Sequence, residues 1–128
     1  MIKKKILVVD DEADFINLVK TRLEAANYDV VVAYDGKEAL GKIKSEKPDA
    51  VLLDVMIPGI DGLNVLKKIR KENKALPIFI VTAFSDKEKF ELARKLGASG
   101  FIVKTDDLKK EIENITSSLG LSEKYKGV

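Results

Sequence analysis

Five short apolar runs, rich in β-branched residues and without polar alternation, recur along this chain. Each is followed by a segment of helical length. The runs lie near 5–9, 29–33, 50–53, 78–81 and 100–103. Runs of this kind suit strands buried on both faces of a parallel sheet. The intervening apolar residues recur near a 3.6 period: Phe15, Leu18, Val19, Leu23 and Ala26, then Ala39, Leu40 and Ile43. Leu63, Leu66 and Ile69 mark a third helix, Phe90, Ala93 and Leu96 a fourth, and Leu108, Ile112, Ile115 and Leu119 a fifth. Strict alternation of strand and helix predicts an α/β fold, a parallel sheet with helices on both faces and right-handed crossovers.

The turn residues agree with that division. Asp35-Gly36 opens the second helix, Pro48-Asp49 precedes the third strand, and Pro58-Gly59-Ile60-Asp61-Gly62 is a turn-rich loop before the third helix. Gly97 stands where a helix-ending glycine is expected. With 128 residues and no internal linker or repeat, one domain over 1–119 is expected, followed by a short tail over 120–128.

Several chemistries are excluded by what is missing. There is no cysteine, hence no disulfide or thiol chemistry, and no histidine, the commonest general base and transition-metal ligand. A net charge of +2 from 23 basic and 21 acidic residues argues against nucleic acid as a direct partner. Lys3-Lys4-Lys5 and the group Lys67, Lys68, Arg70 and Lys71 read most simply as solvated faces. Met1-Ile2-Lys3 runs straight into a strand pattern without a signal-peptide core, and no stretch is long enough to span a bilayer. A cytoplasmic location without a membrane partner is expected.

The chemistry gathers where the apolar runs end. The first run ends in Asp10-Asp11, the third in Asp54, the fourth in Thr82 and the fifth in Lys104. In open α/β sheets, ligands bind beyond the carboxyl ends of the strands, at the topological switch point. Asp10, Asp11 and Asp54 together repel one another, and fold stability alone gives no reason for such crowding. A hard divalent cation such as Mg²⁺ would offset it. A simpler reading makes Asp11 the N-cap of the first helix, with Asp14 favouring its positive end. That leaves Asp10, Asp54 and Lys104 unexplained. A carboxylate fixed beside a metal can act as a nucleophile and form an acyl phosphate, with Thr82 and Lys104 available to the transferred group.

In order, the segments Val8-Val9-Asp10-Asp11-Glu12, Leu53-Asp54-Val55-Met56-Ile57-Pro58-Gly59-Ile60-Asp61-Gly62, Val81-Thr82-Ala83 and Gly97-Ala98 followed by Gly100-Phe101 and Lys104 closely resemble the receiver domain of two-component response regulators. The resemblance covers the chain through about Leu119. It implies a three-layer, flavodoxin-like α/β/α sandwich with a five-stranded parallel sheet in the order 2-1-3-4-5. It also implies a phosphorylation-activated signalling switch rather than an enzyme acting on other substrates. Asp54 would be the phosphoacceptor, charged by a sensor histidine kinase, a phosphotransfer protein or a small phosphodonor. Asp10, Asp11, Asp54 and the backbone carbonyl of Met56 would hold Mg²⁺. Lys104 would pair with the phosphoryl group, with Thr82 and Phe101 as the switch residues. The fourth helix, fifth strand and fifth helix would form the face that meets a downstream protein. There, Phe90 and Leu92 cannot both point inward, so one is expected to be exposed.

Three features qualify the resemblance. Thr105 follows Lys104 where most members carry proline, so the strength of the Lys104 contact is open. Met56 and Phe84 are apolar at positions that bear on dephosphorylation, which predicts slow self-dephosphorylation. No output domain follows the fifth helix, so a stand-alone, chemotaxis-regulator-like receiver is expected, although an excised domain would look the same. Two other phosphate-handling readings fit less well. Haloacid dehalogenase-type phosphatases carry Asp-x-Asp at a strand end, whereas Asp54 is followed by Val55-Met56. A flavin site needs a phosphate loop where this chain has Asp10-Asp11-Glu12-Ala13-Asp14. The rival from another class is an inactive receiver-like interaction module, which usually lacks the acceptor, the metal acids or the lysine.

Overall fold

A computed structural model describes residues 3–55, 62–82 and 87–104, together with 110, 113, 115 and 117 of the C-terminal segment; for Thr82 it describes the backbone only. In chain order the elements are β1 (Lys5–Val9), α1 (Ala13–Ala25), β2 (Asp29–Ala33), α2 (Gly36–Glu46), β3 (Ala50–Asp54), α3 (Gly62–Glu72), β4 (Ile78–Thr82), α4 (Lys87–Lys95) and β5 (Gly100–Val103). All strand pairs are parallel, and the sheet order is β2-β1-β3-β4-β5. The order reverses between β1 and β3, so a crevice opens beyond their carboxyl ends.

The unalternating runs are explained by what covers them. Successive side chains of a strand point to opposite faces, and here both faces are packed. Leu7, Val9, Val51, Leu53, Ile78 and Ile80 face one core, closed by Ala39 of α2, Leu63, Val65, Leu66 and Ile69 of α3, and Ala93 of α4. Ile6, Val8, Ala50, Leu52, Phe79, Val81 and Ile102 face the other, closed by Phe15, Ile16, Val19 and Leu23 of α1 and by Ile115. Lys110, Glu113, Ile115 and Ser117 have helical backbone, in line with the fifth helix; the rest of that segment lies outside the described residues. No described helix is long and apolar enough to cross a membrane.

Strand ends differ by one residue from the apolar runs. Asp54 and Thr82 lie within β3 and β4, aligned with Val81 and Val103 in the parallel ladder, so sheet pairing continues into the polar edge. Helix ends follow local chemistry. The Asp35 carboxylate accepts the Glu38 N–H at 2.8 Å and caps α2. At the end of α4, Gly97 has φ 101°, the left-handed conformation of a helix-ending glycine. The Ala98 N–H donates to the Ala93 carbonyl at 3.0 Å, which completes a Schellman-type turn.

Two contacts outside the strand–helix pattern fix α3. The Arg70 guanidinium of α3 donates to the Gly97 carbonyl at 2.8 Å and to the Asn73 carbonyl at 2.9 Å, which ties α3 to the α4–β5 turn. A Cβ on Gly62 would lie 2.5 Å from Val55 Cα and 2.7 Å from the Asp54 carbonyl oxygen. Only glycine lets α3 start this close to the strand that carries Asp54.

Candidate functional site

The site is built on the ends of β1, β3 and β5. Asp10 follows β1, and its amide donates to the Ala33 carbonyl of β2 at 3.1 Å. Its side chain is 1% exposed, among the few buried charged groups of the described chain. Oδ1 of Asp10 accepts the Glu12 N–H at 2.9 Å. Asp11 does not cap α1, as the simpler reading had it; Glu12 occupies the N-cap position and makes no side-chain capping bond. The Asp10 carboxylate therefore supports the start of α1 from the strand below.

Lys104 reaches into this acidic edge from the end of β5. Its Nζ lies 2.5 Å from Asp10 Oδ2, 3.0 Å from Glu12 Oε1 and 3.1 Å from Asp54 Oδ2. The ammonium also sits 4.3 Å from the centroid of the Phe15 ring, which adds a cation–π contact. Carboxylate oxygens of Asp10, Asp11, Glu12 and Asp54 all lie within 4.8 Å of one another. One lysine thus pairs with three of the four acids.

The electrostatics record that imbalance. Burial first, and then the Asp54 charge, push the Asp10 carboxyl from its ordinary 3.8 up to about 6, against the lowering effects of Lys104 and the Glu12 N–H. Burial alone would lower the Lys104 ammonium, but the carboxylates, Asp10 foremost, more than offset it and hold the amine above its ordinary value. The cluster carries surplus negative charge on hard oxygen donors, which is the donor set a hard divalent cation takes. Asp10, Asp11 and Asp54 are the residues able to hold it, with Glu12 at their margin.

The sequence expectations meet the structure unevenly. Asp10, Asp11, Asp54 and Lys104 come together. The Thr82 backbone ends β4 at the same edge. Phe101 lies on β5, 36% exposed, edge-on to Phe90 of α4 with ring centroids 5.3 Å apart and planes at 69°. Leu92 is the exposed member of its pair, as the helix geometry required. Met56, Phe84 and Thr105, with the Lys104–Thr105 bond, lie outside the described residues. The ring of Phe15 beneath Lys104 and the bond between Glu12 and Lys104 were not foreseen. The available signal was their place in the first turn after β1, at the switch point.

The model of the response regulator receiver domain family matches residues 6–116. The chain belongs to that family. It is 45% identical over 101 residues to the alkaline phosphatase synthesis transcriptional regulatory protein PhoP of Bacillus subtilis, covering 79% of this chain and 42% of PhoP. Among solved structures, a CheY-like receiver domain protein from Methanospirillum hungatei aligns with a TM-score of 0.85 and 29% identity, covering 97% of this chain and 99% of that one. The BeF3-activated N-terminal receiver domain of Klebsiella pneumoniae RstA gives a TM-score of 0.81 and 33% identity, covering 91% and 98%. The chain spans about half or less of the length of the curated relatives it matches. As a receiver domain of the two-component response regulator type, it is phosphorylated on an aspartate.

Proposed function

We propose that Asp54 is the phosphorylated aspartate of this receiver, which occupies 1–119 with a tail over 120–128. The observation that carries the assignment is the setting of Asp54. Asp54 is 4% exposed on a ladder-fixed strand end, and Lys104 Nζ lies 3.1 Å from Oδ2 inside the acidic cluster. Asp10 follows β1 with Oδ1 already taken by the Glu12 N–H, and Asp11 is exposed, whereas Asp54 lies within its strand.

In the transfer, an Asp54 oxygen forms a bond to phosphorus while the bond from phosphorus to the donor breaks. For a kinase or phosphotransfer protein the donor atom is a histidine nitrogen, and the leaving imidazole keeps the electron pair; a small phosphodonor serves equally. Asp10, Asp11, Asp54 and the Met56 backbone carbonyl would hold Mg²⁺, which would supply positive charge at the transferred group. Lys104 exchanges its carboxylate partners for a phosphoryl oxygen. The Thr82 hydroxyl bonds another, and Phe101 leaves its outward seat beside Phe90 and turns inward. A conformer that makes those bonds gains population by their differential free energy.

The α4–β5 face and the helix that follows then present a changed surface to a downstream protein. The chain binds no nucleic acid directly and works in the cytoplasm. It catalyses only its own phosphotransfer and a slow loss of phosphate, with Met56 and Phe84 shielding the acyl phosphate from water. Intact mass after incubation with acetyl phosphate tests the assignment. A single phosphoryl adduct that requires Mg²⁺ and is absent from Asp54→Asn is the expected result. An adduct of equal yield on Asp54→Asn would refute it.

A further inference from the structure

At the opposite end of the sheet from the acidic edge, α2 and α3 enclose a cleft of roughly 460 Å³ that the phosphorylation chemistry does not use. Its floor is apolar: Ile69 is buried, and Leu40 and Ile43 are half-buried against the core. Its rim carries Lys44 and Lys47 at the end of α2 and Lys68 and Lys71 on α3, against a single acid, Glu72. That is a local excess of three positive charges in a chain whose whole balance is +2. The bridge between Lys44 and Glu72 is 3.9 Å long with both side chains well exposed, so it holds neither firmly. Lys47, Lys68 and Lys71 form no ion pair among the described residues.

Lysines in the last turn of a helix complement its dipole, and that accounts for Lys44 and Lys71. It does not account for Lys68. Lys47 is costlier still, because it holds the left-handed conformation, φ 49°, at a helix end where glycine or asparagine fits without strain.

We propose that this cleft is a docking site for an acidic amphipathic segment of a partner protein. Its aliphatic or aromatic side chains would fill the Leu40–Ile43–Ile69 floor, and its carboxylates would meet Lys44, Lys47, Lys68 and Lys71. A helix laid in a groove is the recognition mode that pairs one apolar stripe with flanking charge. A nucleic acid would use the lysines and leave the apolar floor unfilled, since its affinity comes from phosphates.

The test is a ¹H–¹⁵N titration of the full chain with a synthetic helical peptide carrying leucine at i, i+3, i+4 and i+7 and glutamate elsewhere. Two control peptides replace glutamate by glutamine or leucine by alanine. Amide shifts confined to residues 40–47 and 68–73 are expected with the first peptide only, weakening as salt is raised. The double variant Lys68→Glu/Lys71→Glu, which changes exposed side chains alone, should bind roughly tenfold or more weakly. Lys47→Gly separates binding from folding, because it should weaken the peptide while raising stability. The proposal is overturned by the absence of shifts, by shifts scattered over other lysines, or by equal binding of either control peptide. It is equally overturned if a DNA duplex binds the cleft as tightly, or if the cleft amides move with protein concentration alone.

Discussion

At the ends of β1 and β3 the functional groups stand on backbone that the core holds from both sides, and Asp10 and Asp54 are 1% and 4% exposed. On the α4–β5 flank the packing is thin. Ala93 is the buried residue of α4, while Leu92 and Val103 are 47% and 37% exposed and Phe101 rests edge-on against Phe90. The first region stores unfavourable charge in a fixed frame, and the second has little packing to lose when it moves. The two meet at Lys104, which follows the exposed end of β5 and pairs with acids 50 and 94 residues away. A change of charge at Asp54 therefore acts first on the residue that leads to the loosely packed flank.

The sharpest way to break this comparison is to remove its link. Lys104→Met removes the ammonium that pairs with buried Asp10 and Asp54, and it should cost about 3 kcal/mol near pH 7.5 in urea denaturation without metal. Added Mg²⁺ should recover part of that loss. A cost below about 1 kcal/mol would mean that the acids are better solvated than their burial indicates.

Gly62→Ala tests how rigid the edge is. The added methyl meets backbone at 2.5 Å, and backbone cannot swing aside as a side chain can. A loss of about 1–3 kcal/mol is expected, together with slower phosphoryl labelling as α3 and the end of β3 separate.

Asp10→Asn should act in the opposite direction. The folded protein holds the Asp10 proton more tightly than the unfolded chain, so as pH rises from 3.8 to about 6 this group lowers stability. The whole penalty, up to roughly 3 kcal/mol, is in force above that window and is relieved as pH falls through it. The asparagine still accepts the Glu12 N–H but loses the Lys104 pairing, so a net gain of about 1 kcal/mol at pH 7.5 is expected. The difference between wild type and variant should shrink toward pH 4, and Mg²⁺ should no longer stabilise the variant. A pH-independent difference would remove burial as the cause.

The smallest effect belongs to the flank. Leu92→Ala should change stability by no more than about 0.5 kcal/mol, because its side chain is largely in water. A larger cost would show tighter packing of α4 than the comparison allows.

Much of this was legible in the chain because the core follows simple periods. All five strands are found within one residue of the apolar runs, since burial on both faces leaves no room for alternation. The acids of the edge were equally visible, because parallel strands all end on one side. What could not be read depends on contacts between distant segments. Arg70 looked like part of a solvated basic run, yet it reaches the turn at Gly97 once α3 and α4 pack side by side. Phe15 was one more core residue until β5 delivered an ammonium over its ring. Lys47 carries no sign in the sequence of the left-handed backbone it adopts at the end of α2. The simpler reading of Asp11 as the cap of α1 fails because Glu12 stands at that position, and a cap depends on backbone angles more than on residue type.

The coupling of the two regions is tested most directly by ¹H–¹⁵N spectra recorded with Mg²⁺ before and after adding beryllofluoride, a non-transferable phosphoryl mimic. Large amide shifts are expected at Asp54 and Lys104, continuing through Phe101 and along α4, all absent from Asp54→Asn. Shifts confined to the ends of β1 and β3, with β5 and α4 unmoved, would contradict it.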